Sequence, residues 1–121
     1  MNSKKKRSRL GQIKKWLELE FPAKHEVRLR VEKMPAEHRD CHGTYHAPMD
    51  DGLPAMIRLK KNNALSTQIE TLIHEWAHAR TDPDASLCEK KHGGHTNEFY
   101  LEYGRIERKL MQALDAELKR K

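Results

Sequence analysis

The apolar residues of this 121-residue chain change their spacing twice, and that change limits the folds that the chain can form. Over residues 10–21 they recur at helical spacing, and over residues 25–34 they alternate with charged residues as in a half-buried strand. Helical spacing returns in the second half of the chain. The apolar positions are Leu10, Ile13, Leu17 and Phe21 in the first helix, which Pro22 ends, and Val27, Leu29 and Val31 in the first strand.

Two further strands are expected between the first strand and the second helix. The segments 41–48 and 54–61 each have the length and alternation of a short strand, and "MDDGLP" supplies a turn between them. Strands joined by short turns favour antiparallel pairing. We therefore expect an α+β fold with an N-terminal helix, a small, mostly antiparallel sheet and two helices that clasp a metal ion.

Those two helices occupy most of the second half of the chain. The first runs from near Asn63 to about Arg80; Thr67 and Glu70 have capping-box spacing, and Ser66 and Asn63 are alternative caps. Its apolar stripe consists of Leu65, Ile69, Leu72, Ile73 and Trp76. The second helix begins after Gly93 and Gly94, and its stripe consists of Phe99, Tyr103, Ile106, Leu110 and Leu114.

The charge of the chain favours partners that carry negative charge. The formal net charge is +6, and the segment "KKKRSR" concentrates basic residues near the N-terminus. We expect residues 1–9 to form a basic flexible tail, either solvated or in contact with nucleic acid, and residues 10–121 to form one domain. No signal peptide or membrane span is expected, which predicts a cytoplasmic protein of bacterial or phage origin, or a nuclear one if the source is eukaryotic.

The two cysteines say little about function. Cys41 and Cys88 do not form a Cys-x-x-Cys pair, so a zinc site or redox motif built on cysteine is not expected. Reduced, partly buried thiols are the default for a cytosolic protein.

The strongest chemical signal is "HEWAH", residues 74–78. His74 and His78 are four residues apart, so on a helix they lie on one side and can bind the same metal ion. Glu75 projects beside that ion, where it can accept a proton from a water molecule. The same string also arises by chance, in which case the histidines are merely solvated.

A third ligand distinguishes the two interpretations, because catalytic zinc usually has three protein ligands and one water. His95 and Glu98 follow His78 at suitable distances. On the last helix His95 is close in angle to the inward-facing Phe99, whereas Glu98 is rotated away by about 60°. The phase favours His95, and His92 is a weaker alternative.

Other roles stay open among several residues. Glu70, Asp82, Asp84 or a backbone carbonyl could accept the second N–H of a ligand histidine. Tyr45, Tyr100 and Tyr103 are candidates to stabilise an oxyanion. The segment "AMIRLKK", residues 55–61, is expected at the sheet edge, where it could pair with an extended substrate.

The segments "TLIHEWAHAR" and "GHTNEF" together resemble the SprT-like zinc metallopeptidase domain, a family that includes the DNA–protein crosslink protease Spartan. The resemblance covers residues 10–112 and corresponds to a minimal form without the family's zinc ribbon. It implies Zn²⁺ as cofactor, His74, His78 and His95 as ligands, and Glu75 as catalytic base. It also implies a protein or peptide substrate, and the basic residues of the N-terminal tail and of residues 55–61 are expected to bring the domain to DNA.

Two alternatives to this peptidase remain. One is an inactive zinc-containing domain of the same fold that binds nucleic acid. The other is a gluzincin-type peptidase in which Glu98 replaces His95 as third ligand.

Overall fold

A computed structural model describes residues 3–38, 40–88 and 95–119, and it confirms the α+β fold. In these residues three α-helices accompany a four-stranded mixed sheet. The elements are α1 (Ser3–Glu20), β1 (Val27–Glu32), a short 3₁₀ helix (Ala36–His38), β2 (Gly43–His46), β3 (Ala55–Lys60), α2 (Leu65–Thr81), β4 (Leu87–Cys88) and α3 (Asn97–Lys119).

The sheet has the strand order β1-β3-β2-β4. β2 pairs antiparallel with β3, as expected, and also with β4, a strand that was not predicted, whereas β1 and β3 are parallel. The prediction that residues 55–61 form an edge strand is wrong, because β3 has a partner on each side. Ala55, Ile57 and Leu59 of β3 are all fully buried, and so apolar a strand is stable at the centre of the sheet.

The apolar face predicted for the first helix is confirmed, since Leu10, Ile13, Leu17 and Phe21 are all buried in the core. The helix starts earlier than predicted, at Ser3, so residues 3–9 of the expected flexible tail are helical. Within this part of the helix, Arg9 forms a salt bridge with Glu117 of α3, with 3.0 Å between Nη2 and Oε2. The division of the chain into a tail and a domain stays a prediction.

The start of α2 is fixed by a different contact from the one predicted. The helix begins at Leu65 after Ala64, which makes no side-chain capping bond, so the predicted caps are wrong. Instead, the buried Gln68 donates from Nε2 to the carbonyl oxygens of Lys60 and Lys61, at 3.0 and 3.3 Å. The first turn of α2 is thereby held against the end of β3, a contact that local sequence does not reveal.

α2 is the most buried helix in the described residues. Every residue from 71 to 79 is buried except His74, which is half-buried. The indole N–H of Trp76 donates to the carbonyl of Phe21 at 2.7 Å. At the end of the helix Arg80 pairs with Glu102 of α3 at 2.8 Å. α2 is thus held by hydrogen bonds to the segment after α1 and to α3.

The expectation of reduced cysteines is wrong, because Cys41 and Cys88 are joined by a disulfide across 47 residues. Both are buried. Pairing of β2 with β4 places Thr44 opposite Cys88 and so brings the two cysteines together. Strand pairing of this kind depends on tertiary structure and leaves no mark in cysteine spacing.

None of the described helices combines the length and the apolar composition that crossing a bilayer requires.

Replacing Gly104 by alanine is expected to stabilise the protein. Gly104 lies inside α3, and a Cβ atom built there meets nothing within 4 Å. Because alanine costs less conformational entropy in a helix, Gly104→Ala should raise the free energy of unfolding by about 0.5–1 kcal/mol. Urea denaturation measures the change. A lower free energy of unfolding in Gly104→Ala than in wild type would mean that the added methyl group disturbs the neighbouring side chains.

The buried Tyr45 should make the folded protein less stable at alkaline pH. Burial, together with the charges of Asp84 and Asp82, raises its pKa to about 12. Its hydroxyl donates to the carbonyl of Pro83 at 2.7 Å. Between about pH 10 and 12 the folded state keeps the proton that the unfolded chain loses, so the free energy of unfolding should fall as pH rises through that window.

The test compares wild type, Tyr45→Phe and the exposed-residue control Tyr100→Phe by urea denaturation at about pH 8 and pH 11. At pH 8 Tyr45→Phe should have a free energy of unfolding about 1 kcal/mol below wild type, because the hydrogen bond is lost. Between about pH 8 and pH 11 this free energy should fall less in Tyr45→Phe than in wild type. Equal alkaline losses in all three proteins would contradict the assignment.

Candidate metal centre

Three histidines converge between α2 and the start of α3. Each of His74, His78 and His95 offers a ring nitrogen, and these nitrogens all lie within 4.8 Å of one another. The ring centroids form a nearly equilateral triangle, with 5.0 Å between His74 and His78, 5.1 Å between His74 and His95, and 5.2 Å between His78 and His95. The described residues thus contain a candidate three-histidine metal site, as the sequence predicted.

The spacing of this cluster is compatible with a small tetrahedral cation. Metal–nitrogen bonds of about 2.0–2.1 Å require ligand nitrogens roughly 3.4 Å apart, which lies inside the 4.8 Å limit. Two of the ligands come from one rigid helix, so α2 fixes their mutual position. Only His95 has to be placed by tertiary contacts.

Thr96 and Phe99 place His95. Thr96 caps α3: its Oγ1 accepts from the N–H of Phe99 and its carbonyl accepts from the N–H of Tyr100, both at 3.1 Å. The buried Phe99 ring lies 4.3 Å from His78, 4.8 Å from His95 and 4.9 Å from His74. The capped first turn of α3 therefore holds one aromatic ring against all three histidines.

The sequence analysis missed this role of Thr96 and did not foresee that Phe99 contacts every ligand. A threonine three residues before Phe99 has the spacing of a helix N-cap, and that signal could have located the start of α3.

Burial keeps His78 in the form that binds metal. Its side chain is 2% exposed. Burial, followed by the charges of His74 and His95, lowers its pKa to about 3. It is therefore neutral near pH 7, as a metal ligand must be. Among the described residues nothing hydrogen-bonds His78 Nδ1 or His95 Nε2, although both atoms are buried. Such atoms are costly to bury, and a bound cation can use a ring nitrogen of each residue.

Glu75 lies on the same helix, directly after His74, and is completely buried. A carboxylate in such a position needs hydrogen bonds or a nearby positive charge. This degree of burial was not foreseen from its place in "HEWAH".

The alternative ligands are placed differently. Glu98 is exposed and does not belong to the cluster, although it directly precedes the buried Phe99. His92 lies outside the described residues. His42 is exposed and hydrogen-bonds Asn63 at 2.9 Å, while His46 is half-buried against Thr44.

A cleft of about 280 Å³ opens beside His74. Glu70 and Tyr103 line it, and the Tyr103 hydroxyl lies 3.5 Å from Glu70 Oε1. The Tyr103 ring is 5.5 Å from that of His74, and the exposed Tyr100 ring is 5.8 Å from that of His95. Tyr45 instead belongs to β2, is fully buried and hydrogen-bonds the carbonyl of Pro83. Of the three predicted tyrosines, two therefore lie at the cluster and one does not.

The carboxylates that were predicted to accept the second N–H of a ligand histidine lie in different places. Glu70 reaches the cleft, whereas Asp84 pairs with Lys24 at 2.9 Å and with His25 at 2.8 Å. Asp82 donates its backbone N–H to the carbonyl of His78 and so ends α2. Of these three carboxylates, Glu70 is the one that lines the cleft beside His74.

Neither protein-family models nor curated proteins match this sequence, and no solved structure matches its fold. The metal site is thus inferred from its own residues.

Replacing His95 by alanine should greatly weaken metal binding, whereas Glu98→Ala should leave it nearly unchanged. Loss of an outer-shell partner alone typically costs 10–100-fold in affinity, so loss of a ligand should cost more than about 100-fold. Isothermal titration with Zn²⁺ and elemental analysis of both variants test this. If Glu98→Ala loses the metal and His95→Ala retains it, the three-histidine assignment is wrong.

Proposed function

We propose that this chain is a zinc-dependent metallopeptidase of the SprT-like type, with His74, His78 and His95 as ligands. The observation that carries the proposal is the convergence of the three histidines with the buried Glu75 next to one of them. A zinc site of purely structural use needs no such carboxylate, and structural sites generally have four protein ligands. The resemblance of "HEWAH" and "GHTNEF" to the family supports the same assignment.

Zinc bound at this site supplies Lewis acidity, which lowers the pKa of a water molecule to about 7 and polarises a carbonyl group. The three ligands are neutral, so they leave the ion its full positive charge. Phe99 covers one side of the cluster and limits the access of water there. Substrate then approaches through the cleft beside His74.

Glu75 acts as the general base in this proposal. Its carboxylate takes a proton from the attacking water and delivers it to the leaving amine, so the peptide bond breaks without a free hydroxide or amide ion. Glu75 is completely buried and directly follows His74, so its carboxylate is held away from bulk water beside the cluster.

Tyr103 is proposed to stabilise the oxyanion that forms on the substrate carbonyl. It lines the cleft beside His74, and a phenol can donate a hydrogen bond to developing negative charge. Tyr100 is more exposed and lies nearer His95, so it suits a contact with the substrate chain.

DNA is proposed as a partner that brings protein substrates to the enzyme. Lys6, Arg7 and Lys61 line a cleft of about 340 Å³ where α1 meets the end of β3. Basic side chains grouped in this way suit phosphate groups and make binding dependent on salt.

The decisive experiment replaces Glu75 by glutamine, which keeps the shape of the side chain and removes the base. Zinc stoichiometry should stay at its wild-type value, while cleavage of an unfolded protein substrate such as casein should fall by about 10²–10⁴-fold. Reactions run with and without single-stranded DNA test the proposed partner. Glu98→Gln, an exposed change of the same type, is the control and should cleave normally.

Cleavage that persists in zinc-loaded Glu75→Gln would remove Glu75 from the mechanism. A wild-type protein that binds zinc and DNA but cleaves no substrate would instead identify an inactive nucleic-acid-binding domain.

A further inference from the structure

We infer that His38, Cys41 and Cys88, which we call the cysteine cluster, form a second metal site for Zn²⁺ or a similar thiophilic divalent cation when the disulfide is reduced. One ring nitrogen and the two Sγ atoms all lie within 4.8 Å of one another. No residue of this cluster belongs to the three-histidine site.

Backbone structure accounts for the convergence. His38 ends the 3₁₀ helix, and the N–H of Cys41 donates to the carbonyl of His38 at 2.9 Å, which closes a turn and brings these two side chains together. Cys88 arrives from the opposite direction on β4, paired with β2. The three ligand atoms are thus presented by a turn and a strand that are each fixed by hydrogen bonds.

The disulfide alone leaves one member of the cluster unsatisfied. His38 Nδ1 is buried and has no hydrogen-bond partner in the described part of the chain. A buried polar atom of this kind is costly without a partner, and one ring nitrogen of His38 lies within 4.8 Å of both sulfur atoms. A metal ion would bind the imidazole and both sulfur atoms, whereas the disulfide uses only the sulfurs.

The charges of a bound site also fit its burial. Cys41 and Cys88 are 3% and 2% exposed, so two isolated thiolates would be expensive there. One divalent cation neutralises two thiolates, and the histidine adds no charge. Two sulfurs and one nitrogen are ligands that Zn²⁺ prefers, and a water molecule can complete the tetrahedron.

His46 stays outside this ligand set. Its ring centroid is 6.1 Å from that of His38, and its Nε2 is engaged with Thr44 Oγ1 at 2.7 Å.

Opening the site requires a reductant, for which a cellular thiol suffices. Two thiol molecules reduce the Cys41–Cys88 bond, giving two cysteine thiols and one external disulfide. Binding of a divalent cation then releases the two thiol protons and forms two metal–sulfur bonds and one metal–nitrogen bond. The cluster therefore has two crosslinked states, a disulfide and a metal complex, both joining the turn before β2 to β4.

Cobalt is the most informative probe, because a cobalt–thiolate bond gives a charge-transfer band in the near ultraviolet that histidine ligands do not give. Wild-type protein reduced with a phosphine and freed of the excess should bind two Co²⁺ per chain and show that band. Protein oxidised with diamide should bind one and lack the band. This comparison needs no substitution, so misfolding of a variant cannot obscure it.

Variants then assign the ligands. Cys88→Ser and Cys41→Ser should each lose the band while retaining one Co²⁺ at the three-histidine site. His95→Ala should keep the band, and the control His25→Ala, whose histidine pairs with Asp84 on the surface, should behave as wild type. Circular dichroism confirms that each variant is folded.

Reduced, folded wild-type protein that shows no charge-transfer band in excess Co²⁺ would overturn the inference, as would a band that survives in both cysteine variants. These results are independent of peptidase activity. Protein with the band and without cleavage would retain the second site while rejecting the proposed function.

Discussion

Burial of α2 is the constraint on which the rest of the structure depends. From 71 to 79 the helix is enclosed almost completely, although it carries Glu75, His74 and His78. Polar groups in such a place are stable only where the surroundings provide partners. For this helix the carbonyl of Phe21 accepts from Trp76, and Glu102 of α3 pairs with Arg80, while the candidate metal site lies between α2 and the start of α3. A chemically inert helix in this position would carry apolar residues instead.

The contact between α2 and α3 brings His95 next to the pair formed by His74 and His78. Phe99 packs against all three rings, and Arg80 pairs with the nearly buried Glu102, one turn after Phe99 on α3. Both interactions join the same two helices, so they fix the distance and the rotation of α3 relative to α2. His95 directly precedes the capped end of α3, and its position follows from theirs.

The cysteine cluster and the three-histidine site are linked through the chain. Cys88 lies only seven residues before His95 in the sequence. The two sites differ in their chemistry: sulfur ligands respond to redox conditions, whereas imidazoles respond to pH. The two candidate clusters, with their different ligand types, can therefore be tested separately.

Local periodicity determined much of this protein. Apolar residues at helical spacing predicted the buried faces of α1 and α3, alternation predicted β1 and β3, and the i, i+4 spacing placed His74 and His78 together, because these relations lie within one or two turns of the backbone. The phase of His95 indicated the third ligand for the same reason. Tertiary structure alone decided the rest: the central position of β3, the contact of Gln68 with β3, the burial of Glu75 and the convergence of His38, Cys41 and Cys88. These features depend on contacts between different elements, which are set by strand pairing and core packing. Such contacts produce no regular spacing in the sequence.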